Sequence, residues 1–162
     1  MRLLEKNDNI DFSNLNFKIS QARYFLERVK ATMQERRIQD YYLSAFSNSV
    51  YTVLQYIRGQ NTELFSKLKT DEFIIPFYTD GRKGGIRGLD VHHQPVKHNR
   101  AYFIGEHAEI SGNYIKLGDA DCRIILRING KEFDLYDLCE KSLRKIEVEV
   151  ALYQNEIAKK EE

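Results

Sequence analysis

The chain has 162 residues, 42% of them hydrophobic and 30% charged, with a formal net charge of +1. That length suits one domain able to bury about 68–70% of its unfolded surface, and the composition is that of an ordinary soluble globular protein. The near-zero charge excludes the global basic footprint of a general nucleic-acid binder, so any site for a polyanion must be local.

In chain order, "MRLLEKNDNIDF" meets charge after two leucines, which fits neither a signal peptide nor a membrane span, and no long apolar run follows. A cytoplasmic protein with no membrane partner is expected. The first helix is predicted from Ile19, Ala22, Leu26, Val29 and Met33, which recur in steps of three and four on one face. Arg23, Glu27, Lys30 and Gln34 supply the face toward water. The second, "DYYLSAFSNSVYTVLQYIRGQ", repeats the rhythm with Leu43, Phe46, Val50, Val53 and Ile57. Asp40 is its expected N-cap and Gly59 its expected stop. Tyr42, Leu54 and Tyr56 widen the apolar surface, while Ala45, Ser47 and Ser49 keep it slim, which suits the centre of a bundle. The short link between the two helices predicts an antiparallel hairpin.

A third helix is predicted near "NTELFSKLK", with Pro76 kinking or restarting it. After the loop "GRKGG" the character changes. "RAYFIGEHAEI", "NYIKL" and "CRIILRI" read as short strands, and Asn129-Gly130 in "RIILRINGKEFDL" is a type I′ hairpin signal. Asp134 is the expected N-cap of a last helix with the seam Cys139, Leu143, Ile146, Val150, Tyr153 and Ile157. The fold class expected is α+β and mainly α. An antiparallel bundle of four to five helices occupies about 13–98 and 134–160, and a small antiparallel β-sheet, about 100–133, is inserted before the C-terminal helix. All of it forms one domain. Cys122 and Cys139 stand apart and outside any C-x-x-C pattern, which predicts free, buried thiols in a reducing compartment.

The chemistry concentrates in "GGIRGLDVHHQPVKH", which holds three of the four histidines. Arg87 and His92 are separated by four residues. On an ideal helix they would stand roughly 140° apart and would not share one narrow stripe, but they can converge on a groove at a helix end or between two chains. A neutral imidazole removes a proton near neutral pH, and a guanidinium holds a phosphate bidentately. Together they suffice for metal-free RNA cleavage: the histidine activates the ribose 2′-hydroxyl and the arginine stabilises charge on the phosphorane. A second histidine, His93 or one from a partner subunit, would protonate the leaving 5′-oxygen. Against this stands a plain alternative, in which Asp90 pairs with Arg87 on the surface and His92 packs at a helix end.

Asp90, His92, His93 and His98 also offer ligands for zinc, but adjacent histidines on a helix diverge by about 100° and no H-x-x-x-H pair is present. No metal or cofactor is therefore assigned. "DGRKGGIRG" lacks the ending of a nucleotide-triphosphate loop. Between Asp80 and Arg100 five Lys or Arg residues face two Asp, a surplus that includes Arg82, Lys83 and Lys97. With Tyr78 and Tyr102 nearby for stacking, this stretch can hold single-stranded RNA or be a solvated loop.

The helical hairpin "ARYFLERVKATM" and "YYLSAFSNSVYTVLQYI", a kinked helix, and then "RGLDVH" together resemble the HEPN superfamily. Its mark is Arg, four to six residues, then His. The resemblance covers roughly residues 15–98 and the last helix, with the strands as an insertion. It implies a homodimer in which the segments of two chains form one cleft, with Arg87 and His92 catalytic and Asp90 and His93 accessory. Arg82, Lys83, Lys97 and Tyr102 would bind RNA. The function implied is RNA binding with metal-independent endoribonuclease activity, in a toxin–antitoxin, defence or RNA-processing system, with an antitoxin or other protein partner. Gly88 stands where the family commonly has Asn, Asp or His. The alternative is a catalytically inactive dimeric interaction module that binds a protein partner or nucleotide.

Overall fold

The computed structural model describes residues 10–32, 36–78, 86, 98–103, 109–111, 114–116, 121–128 and 131–160. Five helices account for most of them: α1 (Phe12–Ala31), α2 (Arg36–Gln60), α3 (Thr62–Leu68), α4 (Ile75–Tyr78) and α5 (Leu135–Ala158). The arrangement is mainly helical and bundle-like. No helix among the described residues is long and apolar enough to cross a membrane.

Helix α1 begins at Asp11, whose carboxylate accepts the backbone N–H of Asn14 at 3.1 Å and satisfies a donor left open by the first turn. Leu15, Ile19, Ala22, Leu26 and Val29 are buried along it, an arc of about 80° at helical spacing. Helix α2 buries Leu43, Phe46, Ser47, Val50, Val53, Leu54 and Ile57, a wider arc of about 120°. That width is what lets α2 pack against α1, α3 and α4, while α5 covers α1 and α3. Phe46 and Phe77 of α4 meet edge to face, with ring centroids 5.6 Å apart.

Both expected bounds of α2 differ from those observed. The helix starts at Arg36, one turn before Asp40, because nothing in Arg36–Gln39 breaks a helix. It runs through Gly59, which carries a modest helical penalty, and ends where Asn61 takes an extended φ of −144°. The Asn61 side-chain oxygen then caps α3 by accepting from Leu64 N at 2.7 Å, so the two helices abut with one residue between them. After α3 the Asp71 carboxylate accepts from Phe73 N, and its carbonyl accepts from Ile74 N and Ile75 N. Pro76 sits in the first turn of α4, where a missing N–H leaves no helical bond unmade. Asp134 caps α5 by accepting from both Tyr136 N and Asp137 N. Cys139, Leu143, Ile146 and Val150 are buried as their spacing predicts, whereas Tyr153 and Ile157 near the helix end are half-exposed.

Polar contacts record the helix directions. The Tyr56 hydroxyl, late in α2, donates to the carbonyl of Asp11 before α1, and Lys18 lies 5.7 Å from the Tyr56 ring. Thus α1 and α2 are antiparallel. Tyr136 at the start of α5 donates to the carbonyl of Val29 near the end of α1, while Phe12 meets Tyr153 at the opposite ends. Those two helices are antiparallel as well. Between α4 and α5 the backbone is extended at His98–Phe103 (β1), Glu109–Ser111 (β2), Tyr114–Lys116 (β3), Asp121–Ile128 (β4) and Lys131–Asp134 (β5). β4 pairs antiparallel with β1 on one side and β5 on the other, with Ile128 opposite Lys131; β2 pairs with β3.

Asn61 also joins distant elements. It is only 6% exposed, and its amide nitrogen donates to the Tyr153 hydroxyl of α5. Asn61→Ala should therefore cost about 1–3 kcal/mol, through the lost cap and the lost hydrogen bond to Tyr153. Asn61→Asp should cost less, because a carboxylate keeps the cap and can accept from Tyr153. Urea unfolding of the two variants checks the order.

Ser47 is buried and its hydroxyl has no hydrogen-bond partner among the described residues. Removing an unsatisfied polar atom at nearly constant volume relieves its desolvation cost. Ser47→Ala should raise the unfolding free energy by about 1 kcal/mol, measurable in the same titrations.

Arg23, expected to face water, instead reaches across to α5, where it contacts Glu140 at 3.0 Å and Glu147 at 2.6 Å; Lys30 joins Glu140 at 2.9 Å. Hydrogen bonds from Lys30 and then Arg23 hold the Glu140 carboxyl below its ordinary pKa, against a smaller opposing effect of burial between them in size. A lowered folded pKa means stability that is present above the unfolded pKa and lost as pH falls through the folded one. With Glu140 39% exposed, water screens the attraction. Glu140→Gln should cost about 0.2–1 kcal/mol at neutral pH in low salt. Its deficit relative to the unsubstituted protein should close below the ordinary carboxylate range and shrink in strong salt, as thermal melts across pH would show.

Candidate functional site

Ile86 immediately precedes the Arg-x-x-x-x-His sequence. This residue is helical, 1% exposed and part of the core cluster that also contains Phe77 and Phe46. A residue so buried holds its backbone against the core, and Arg87 is the next residue along the chain. Arg87, Asp90, His92 and His93 lie outside the described residues, as do Arg82, Lys83 and Lys97. Tyr102 lies on β1, its backbone opposite Cys122 of β4.

Chemistry-bearing residues that sequence spacing did not single out gather around Tyr78, at the end of α4. Its ring lies nearly parallel to that of Tyr51, with centroids 6.0 Å apart and planes 21° apart. Phe65 meets the same ring edge to face at 5.0 Å. Arg58 donates from Nη1 to the Tyr78 hydroxyl at 3.1 Å, and its guanidinium carbon lies 6.0 Å from the Phe65 ring centroid. Tyr51 and Arg58 are seven residues apart, two helical turns, so they share one line along α2. The sequence carries that spacing, but nothing local says that Tyr78 closes over it. The group combines a positive charge, aromatic surface and a fixed hydroxyl at the helical edge of the basic stretch.

Other titratable groups have structural explanations. The Cys139 thiol is fully buried, free of any disulfide, and burial pushes its pKa far above the ordinary thiol range. It is a core side chain with no thiolate to act as nucleophile. The Arg23 charge is spent on Glu147 and Glu140, whose hydrogen bonds raise its pKa further despite burial. Among the described residues no three His, Cys, Asp or Glu side chains come together to hold a metal. Of the histidines weighed as zinc ligands, His98 begins β1 and the others lie outside the described residues.

Comparison of the chain with models of protein families, with curated proteins and with solved structures found no match.

Proposed function

We propose that the protein is a HEPN-like RNA-binding protein and a metal-independent endoribonuclease, working as a homodimer in the cytoplasm. The observation that carries this reading is the anchorage of Ile86 in the core of a helical bundle, directly before Arg87 in an Arg-x-x-x-x-His sequence. A catalytic pair must be held by a rigid support, and a helical core is one. The antiparallel α1–α2 hairpin and the return of α5 along α1 agree with the family's bundle. In this reading β1, β4 and β5 form the inserted sheet before the last helix.

His92 takes the proton from a ribose 2′-hydroxyl, and the freed oxygen attacks the adjacent phosphorus in line with the bond to be broken. Arg87 binds the phosphate oxygens as charge develops on them. The 5′-oxygen leaves with a proton from His93 or from a histidine of the second chain, giving a 2′,3′-cyclic phosphate and a 5′-hydroxyl. Asp90 orients the pair, Arg82, Lys83 and Lys97 draw in the backbone, and Tyr102 stacks on a base. An antitoxin or other protein partner would cover the same cleft.

A second reading, a catalytically inactive module that binds a protein partner or nucleotide, is favoured by one observation. Phe17 and Tyr24 are 62% and 51% exposed on the side of α1 opposite its buried seam.

Incubation of mixed labelled RNA with the protein in EDTA should yield cyclic-phosphate ends. His92→Ala should lower the rate at least about 100-fold, the low end of what a general acid or base contributes. Its circular dichroism should match that of the unsubstituted protein. Equal cleavage by the folded variant would exclude this mechanism, and intact RNA from both proteins would favour the interaction module.

A further inference from the structure

We propose that Arg58, Tyr51 and Tyr78 form a platform for one nucleotide of single-stranded RNA, with the guanidinium binding a phosphate and the aromatic surface carrying a base. This rests on the RNA-binding reading above and names a part of the site outside the Arg87–His92 segment. Arg58 is exposed on α2 and has no carboxylate partner among the described residues, in contrast to Arg23, which is held by two. It is nevertheless fixed in place: the Tyr78 hydroxyl accepts from one of its nitrogens, and Phe65 lies alongside. Its other N–H donors are left for a ligand. A guanidinium positioned in advance loses less side-chain entropy on binding than a mobile lysine.

The rings complete the recognition. Tyr51 and Tyr78 are half-buried and nearly parallel, so part of each side chain stays accessible for a base to stack on. Every base has a π-face, whereas paired bases are already stacked, so such a surface selects single strands rather than a base sequence. The location also fits. Tyr78 follows Phe77, which lies in the same core cluster as Ile86, so the platform and the start of the Arg87 segment are carried by one packed body.

The test is fluorescence anisotropy with a labelled 2′-O-methyl single-stranded oligonucleotide, which binds without being cut. Arg58→Ala should weaken binding at least about fivefold and reduce the slope of log Kd against log salt by about 0.7, the loss of one phosphate contact. Tyr51→Leu should weaken binding by a similar factor with the slope unchanged, since stacking releases no counterion. A residue that only docks α4 would move the melting temperature and leave the salt slope alone. If Arg58→Ala fails to fold, Arg58→Gln keeps a donor toward Tyr78, removes the charge and must reduce the slope equally. Binding by folded Arg58→Ala with the unsubstituted affinity and slope overturns the platform. If that binding is still weakened by Arg82→Ala or Lys83→Ala, the RNA reading stands without it. No binding by the unsubstituted protein at low salt overturns both.

Discussion

Helix α2 buries a broad face from Leu43 to Ile57, and the other helices take their positions from it. A helix with a narrow seam can satisfy one neighbour; an arc of about 120° presents apolar surface to several. Helices α1, α3 and α4 accordingly pack against α2, and α5 closes over α1 and α3. Phe46 shows the consequence at one residue: it is fully buried because Phe77 of a short, four-residue helix meets it edge to face. So short a helix gains little from its own backbone bonds, and α4 is held by what it buries.

Hydrophobic burial is non-directional, so it does not by itself decide which end of one helix meets which end of another. Polar contacts at the ends supply that information. Tyr56 reaches Asp11, Tyr136 reaches Val29, and Asn61 caps one helix while donating to another. The Arg23–Glu140–Lys30 group works along the length of the α1–α5 pair, where its partial exposure leaves it weak in energy but sensitive to register. Ser47 is the opposite case, a hydroxyl carried into the core without a partner among the described residues. The small side chain fills a place in the slim part of α2 at the expense of a desolvated hydroxyl.

The same packing bears on function through two residues. Ile86 is buried in the core immediately before Arg87, and in the proposed reading this gives the glycine-containing stretch one fixed point where its chemistry would begin. Tyr78 ends α4 with its ring stacked near Tyr51 and meeting Phe65 edge to face, and with its hydroxyl accepting from Arg58. Phosphate chemistry needs charge that is already in position when the substrate arrives. In the proposed reading, the bundle provides that positioning, while the basic residues of the following stretch provide attraction over a longer range.

Much of the helical framework is legible in the sequence because it depends on neighbours three and four residues apart. Ile19, Ala22, Leu26 and Val29 on α1, the seam of α2, and the Asp134 cap follow from spacing and from the hydrogen-bonding reach of a short side chain. Asp40 and Gly59 show where local rules stop, since each suits a helix boundary yet lies inside α2, where favourable neighbours and tertiary packing outweigh a modest propensity. Arg87 and His92 are legible as chemistry, because residue type and spacing propose a role, but spacing cannot bring two groups roughly 140° apart on a helix into one cleft. Arg23 turning toward α5, Asn61 meeting Tyr153, and Arg58 held by Tyr78 were decided by tertiary structure alone. In each case the partners lie far apart along the chain, and only the packing of the helices brings them within hydrogen-bond reach.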